Sequence, residues 1–252
     1  MQSLEGLPII VTGGSRGLGL GLVEALVERQ ARVTVVARDA PCLAEVQRRL
    51  GVAVVAGDAT DAGLAARLLR EVQPRVVVLN AGIAPLMAPL HQQTWEAFTA
   101  IWETDVKAAF HWTQAALRTP LPRGSRVLIG SSGAAIGGSP LSGGYAGAKR
   151  MTWLMADYAN GVARELELGI HFQALLPRQI VGDTALGRAA AEGYARKKGV
   201  TTEAFLAGFG QPMPPRRYAE HVLAILTQPV YARATAFGLK GSGIEELDVR
   251  LP

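Results

Sequence analysis

"TGGSRGLG" occupies Thr12 to Gly19, and its neighbours matter as much as its glycines. The residues leading into it, "LPIIVTG" (7–13), are apolar and β-branched and read as a buried strand. The residues leaving it, Leu18 to Arg29, repeat apolar positions at helical spacing. Such glycines by themselves mark ordinary turns. Between a strand and a helix they form what a phosphate-binding turn requires. Gly13, Gly17 and Gly19 permit a tight turn and close approach of backbone to ligand. The first turn of the helix then aims free N–H groups and a positive dipole end at a pyrophosphate.

Working outward, strand and helix patterns alternate along the chain. "RVTVVAR" (32–38), "VAVVAGD" (52–58), "RVVVLNAG" (75–82), "SRVLIGSS" (125–132), "IHFQALLP" (170–177) and "RATAFGL" (233–239) read as further strands. Helical patterns fill 40–50, with Asp39 as N-cap, then 61–72, 94–117, 144–168 and 218–227. Strands apolar on both faces, separated by helices, predict a parallel sheet covered on both sides. Right-handed crossovers make it doubly wound. The fold class expected is α/β, one domain over residues 1–252, with about seven strands. No linker or internal repeat divides the chain. Residues 178–217 are the least regular, follow a strand's carboxyl end, and are expected to form a substrate lid.

Of the 252 residues 49% are hydrophobic and 19% charged, enough to bury a sizeable core. The single cysteine, Cys42, excludes an internal disulfide and a cysteine-based metal site. His91, His111, His171 and His221 show no metal-ligand spacing, so no metal is expected. "MQSLEGLPIIVTGG" lacks the basic-then-apolar order of a secretory signal. Val76–Trp95 and Val127–Ala148 carry no charge, but Gly, Pro, Ser or Asn break both, so no membrane span is expected. The cytoplasm is the expected compartment. The net charge is +5, yet its arginines are dispersed among acids, which argues against nucleic acid. An anionic small molecule, or an acidic carrier bearing the substrate, suits that charge better.

The spacing TGxxxGxG resembles the short-chain dehydrogenase/reductase family. That resemblance implies a Rossmann-like fold and a nicotinamide cofactor held by Gly13, Ser15, Arg16, Gly17, Leu18 and Gly19. It makes Asp58, with Ala59 beside it, the acid that contacts the adenine amino group. It assigns "NAG", Asn80-Ala81-Gly82, to the wall of the cofactor site. Pro177 and Ile180 match the segment that contacts the nicotinamide amide. Arg178 and Gly182 replace the usual glycine and threonine there, leaving Thr184 as the candidate hydroxyl. An acid at the end of the second strand would favour a free ribose diol, and arginine a 2′-phosphate. Ala37 occupies the acid's position and Arg38 follows it, with Ser15 and Arg16 in reach. NADP(H) is therefore expected over NAD(H).

"GGYAGAK" (143–149) sets Tyr145 and Lys149 four residues apart, on one face of a helix. Free tyrosine ionises only near about pH 10, and a neighbouring ammonium favours its phenolate. Such a tyrosine can give a proton to a carbonyl or take one from an alcohol. An isolated YxxxK is more simply a solvated helix pair. Ser132, thirteen residues upstream, matches by type and spacing the family's serine that anchors the substrate oxygen. The resemblance also implies that Tyr145 and Lys149 both contact the cofactor, Lys149 at the nicotinamide ribose. The family's asparagine in the long helix, which supports a water-linked relay to the lysine, is replaced by Asp105. That carboxylate either keeps the relay through its backbone or draws the charge of Lys149 away from Tyr145.

The reaction so implied is reversible hydride transfer to a ketone or aldehyde, on a small-molecule substrate or a carrier-bound acyl chain. The rivals are a non-catalytic NADPH-binding sensor or scaffold, and an epimerase or dehydratase with a bound cofactor. The lid offers Leu186, Tyr194, Phe205, Leu206, Phe209 and Met213 for an apolar pocket. Arg188, Arg196, Lys197, Lys198, Arg216 and Arg217 add positive charge. The helices over 94–117 and 144–168 carry Trp95, Trp102, Trp112 and Trp153, and resemble those the family uses to form dimers and tetramers.

Overall fold

Each of the seven runs expected as strands becomes one. The structure, a computed structural model, describes residues 3–248; residues 1–2 and 249–252 of the expected domain lie outside it. The strands are β1 (Pro8–Thr12), β2 (Arg32–Ala37), β3 (Ala53–Ala56), β4 (Val76–Leu79), β5 (Arg126–Gly130), β6 (His171–Pro177), β7 (Ala236–Lys240) and β8 (Gly243–Glu246). They form one sheet in the order β3-β2-β1-β4-β5-β6-β7-β8. All neighbours pair parallel except β7 and β8, which are antiparallel.

The eighth strand goes beyond the seven expected. Its sequence, Gly-Ile-Glu-Glu, holds one apolar residue and gives almost no strand signal. Pairing with β7 across a two-residue Gly241–Ser242 turn makes it a strand. Those two residues were the available hairpin cue.

Helices cover both faces, as doubly wound topology requires. On one face α1 (Gly17–Glu28), α2 (Ala40–Leu50) and α10 (Pro215–Thr227) bury Leu22, Leu26, Leu43, Val46, Val222 and Ile225. On the other, α3 (Ala62–Val72), α5 (Lys107–Arg118) and α7 (Tyr145–Glu165) bury Leu68, Leu69, Trp112, Trp153 and Ala156. Side chains fix several helix ends. Asp39 accepts from the Cys42 amide at 3.0 Å, the cap expected, and Asp61 accepts from Gly63 at 2.7 Å. Buried Asn160 clamps α7 to β6, donating to Phe172 O at 2.7 Å and accepting from Phe172 N at 2.9 Å. No helix is long and apolar enough to cross a membrane among the described residues.

Two local readings need correction. The helix over 94–117 is not uniform: α4 (Trp95–Ile101) passes through a π turn, Trp102–Val106, into α5. The Lys107 N–H reaches back five residues to Trp102 O. The segment 178–217 is not irregular either. It holds α8 (Ala185–Lys198) and α9 (Thr202–Ala207), capped by Thr184 and Thr201. Short, Gly- and Ala-rich helices lack a clear apolar stripe, so periodicity misses them. Met213, expected in the pocket, is buried in the core beneath α1 and α10. Arg216 and Arg217, expected on the lid, sit on α10 and pair with Glu28 and Glu220.

Candidate active site

Six strand ends bring the singled-out residues to one edge of the sheet. β1 ends in Thr12 and the glycine turn, β2 in Ala37 and Arg38, and β3 runs into Asp58 and Ala59. β4 leads to Asn80–Gly82, β5 to Ser132, and β6 to Pro177–Ile180. The strand order reverses direction between β1 and β4, the crevice where open α/β sheets bind ligands.

The turn after β1 is held from both sides. Thr12 Oγ1 accepts from the Asn80 and Ala81 amides, both at 3.1 Å, and Asn80 Nδ2 donates to Gly13 O at 3.2 Å. Sequence reading quoted Thr12 without giving it this role. Gly13 has φ +67°, and a Cβ built there would lie 2.7 Å from Ala81 Cα. Arg16, the N-cap of α1, makes no side-chain cap, so the first amides of that helix are open to an anion. This cradle fits the pyrophosphate of a dinucleotide. Ser15 is buried, Leu18 half-buried and Arg16 exposed.

At the end of β2, Arg38 lies 3.8 Å from Asp58. The Thr60 amide, ahead of the Thr60 hydroxyl and Arg38, holds the Asp58 carboxyl below the usual carboxylate range against a partial desolvation. Ala37 leaves no acid facing Arg38 from β2. Thr184 is brought to the glycine turn: a Cβ on Gly17 would sit 3.5 Å from its methyl group. Its hydroxyl accepts from Gly187 N at 3.0 Å and caps α8. The unusual Arg178 has a partner on β8, where its guanidinium pairs with Glu245.

Tyr145 opens α7 and is 9% exposed; Lys149, one turn on, is 8% exposed. Lys149 Nζ stands 5.6 Å from the centre of the Tyr145 ring. Nζ also contacts Asp105 Oδ2 at 2.8 Å and Gly130 O at 3.5 Å. Burial pushes the lysine's pKa down, but Asp105 and Tyr145 outweigh it, and the net direction is up. Lys149 therefore stays charged. Ser131 Oγ donates to Lys149 O at 2.7 Å and ties α7 to β5. Ser132, half-buried, accepts from Ala134 N at 3.2 Å. The Gly133 amide donates to Pro177 O at 2.8 Å, joining the Ser132 segment to the one after β6.

Around Tyr145 the walls are apolar. Ile101 and Ala148 pack with it, and Ile83, Ala134 and Leu186 close over this cluster. Of these only Leu186 was named from sequence. The segment expected as a lid is tied down by polar contacts: Tyr194 Oη of α8 lies 2.7 Å from Ser139 Oγ and accepts from Leu141 N at 3.5 Å, in the loop before Tyr145. Tyr194 also stacks on Phe205, and Phe205 meets Phe209 edge-on. Replacing Tyr194→Phe is expected to lower stability by about 1 kcal/mol in a urea melt, because it deletes the hydroxyl's contacts with Ser139 and Leu141 and keeps the stack. It should also speed proteolysis of the segment that holds α8 and α9.

The four tryptophans split. Trp112 and Trp153 are core residues, whereas Trp95 and Trp102 are exposed at 71% and 39%. Beyond them, Phe110 on α5 and Tyr158, Val162 and Leu166 along and after α7 present apolar surface to solvent.

Known proteins resemble this chain in sequence and in fold. The short chain dehydrogenase family matches residues 8–195. A short chain dehydrogenase/reductase, AacuD, of Aspergillus aculeatus is 33% identical over 164 residues, covering 61% of this chain and 58% of that one. Human L-xylulose reductase is 32% identical over 122 residues, covering 48% of this chain and 50% of that one. The chain thus spans about half the length of these curated relatives. Among solved structures, 3-ketoacyl-(acyl-carrier-protein) reductase from Brucella melitensis, complexed with NADH, superposes with a TM-score of 0.75. It covers 95% of this chain and 98% of that one at 22% identity, a likeness of fold.

Proposed function

This chain belongs to the short-chain dehydrogenase family, and we propose that it is an NADP(H)-dependent oxidoreductase that reversibly reduces a ketone or aldehyde to an alcohol. The observation that carries the reading is the buried Tyr145–Lys149 pair, at the same sheet edge as Ser132 and the glycine turn. When bound, the nicotinamide supplies the hydride. The amides opening α1 would hold the pyrophosphate, and Arg38 with Ser15 and Arg16 the ribose phosphate. Asp58 and Ala59 would face the adenine, Asn80–Gly82 the ribose, and Pro177, Ile180 and Thr184 the nicotinamide end.

Ser132 Oγ donates a hydrogen bond to the substrate oxygen and orients it. Tyr145 then gives its phenolic proton to that oxygen as charge develops there. Lys149 has three donors; Asp105 and Gly130 O engage two, leaving one for ribose hydroxyls. Ile83, Ala134 and Leu186 pack against the Tyr145 cluster and give the proton transfer an apolar surround. NADPH consumption with a panel of ketones and aldehydes tests this reading. Tight NADPH binding with no turnover across the panel would favour the sensor or scaffold instead.

The choice of NADP(H) rests on Arg38. Arg38→Ala is expected to weaken NADPH binding by about 10- to 100-fold, the loss of a charge-assisted contact, and to leave NADH nearly unchanged. Fluorescence titration with each cofactor measures both. Exposed Trp102, Phe110, Tyr158, Val162 and Leu166 support assembly of α5 and α7 against a second copy, as a homodimer or homotetramer. The cytoplasm remains the compartment proposed.

A further inference from the structure

Asp105 stands where the family resemblance calls for an amide, and its surroundings suit a carboxylate. Its two oxygens face different donors: Oδ1 accepts from the Ile83 amide at 3.0 Å, and Oδ2 contacts Lys149 Nζ at 2.8 Å. Thr104 Oγ1 lies 3.1 Å from Oδ1. The carboxylate is buried, at 4% exposure, on the π turn that links α4 and α5. Its place also depends on Gly82, since a Cβ there would come within 2.6 Å of Oδ2. An asparagine could keep the Ile83 bond, but its NH2 would then face an ammonium, donor against donor.

We propose that Asp105 is a positioning residue that ties up the charge of Lys149, weakens the pull of that ammonium on the Tyr145 hydroxyl, and so biases the site toward carbonyl reduction. The direction of bias rests on the reductase reading above; the electrostatics do not. A lone ammonium beside Tyr145 would favour the phenolate. With an opposite charge 2.8 Å from Nζ the two act together as a dipole, whose pull on Tyr145 is weaker than that of one charge. Reduction needs the proton on Tyr145, and oxidation needs it absent. A site without an isolated cation does less to favour the phenolate that oxidation uses.

Among the described residues, Asp105 is the acid in contact with Lys149. On and just before α8, whose Leu186 packs on the Tyr145 cluster, Asp183, Arg188 and Glu192 are exposed. Of the elements packed on α7, α4 carries Glu96, which is exposed. On α5, Lys107 acts on Asp58, and His111 contacts Thr60 O at 2.7 Å. In the π turn Glu103 is exposed. The segments flanking α6 (Ala134–Gly137) offer only hydroxyls, and after β6 Arg178 is paired with Glu245.

The test is a pH titration of phenolate absorbance in the near ultraviolet on the full chain, with no substrate. The Tyr145 signal is the difference between each protein and its Tyr145→Phe counterpart. Asp105→Asn frees Lys149 from its counter-charge, so the titration midpoint is expected to fall by about one pH unit. Asp105→Ser, smaller and equally neutral, should shift it the same way and serves if the asparagine variant fails to fold. A midpoint unmoved or raised in the folded variants overturns the proposal. Because the titration needs no turnover, its failure is distinct from failure of the reductase reading, which Tyr145→Phe turnover decides.

Discussion

Tyr145→Phe is expected to lower carbonyl reduction by about 10²- to 10⁴-fold, the contribution of a well-placed general acid. NADPH affinity should change little. The substitution removes one oxygen and leaves the ring, which is packed among Ile101, Ala148, Ile83, Ala134 and Leu186. The α7 backbone and the Lys149 contacts to Asp105 and Gly130 do not depend on the hydroxyl. Loss of turnover with an unchanged cofactor titration therefore isolates proton transfer from binding. Steady-state NADPH oxidation and fluorescence titration on the same preparation measure the two. Turnover retained within tenfold of the parent would remove Tyr145 from the chemistry.

Gly19→Ala is expected to destabilise the fold by about 3 kcal/mol and to weaken NADP(H) binding at least tenfold, because the added methyl has nowhere to go. Its Cβ would sit 2.2 Å from Gly13 O and 2.6 Å from Asn80 Nδ2. Neither neighbour can yield readily. Gly13 O is fixed by the φ of +67° at Gly13 and accepts from Asn80, whose amide is itself bonded to Thr12. Relief would require parting the ends of β1 and β4, the crevice that receives the cofactor. Gly161→Ala is the internal control. A Cβ at this helical position meets nothing within 4 Å, so alanine should be neutral or stabilise by about 0.5–1 kcal/mol. Urea melts of both variants, with and without NADPH, give the comparison.

Much of the fold was legible because its signals are local. β1, the glycine turn and α1 follow one another without interruption, so a short window contains strand, turn and helix. The Asp39 cap and the helical phase of Tyr145 and Lys149 are likewise short-range. β8 was missed because a polar strand exists only through its partner. α8 and α9 were missed because small residues give no apolar period. Trp112 and Trp153 could not be told from Trp95 and Trp102, since all four lie on helices and only packing sorts them.

The sequence by itself determined the family, the alternation of strands and helices, and the residues that meet at the carboxyl edge of the sheet. Hydrophobic period, turn chemistry and residue type encode these within a few positions of each residue. Only the tertiary structure decided how Asp105 is used. Along the chain it is forty-four residues from Lys149 and could equally have faced water. A π turn, the glycine at 82 and the Ile83 amide bring its carboxylate to 2.8 Å from the ammonium. Burial then gives that pair its weight, because charges removed from water act on each other and on Tyr145 far more strongly than they would in solvent.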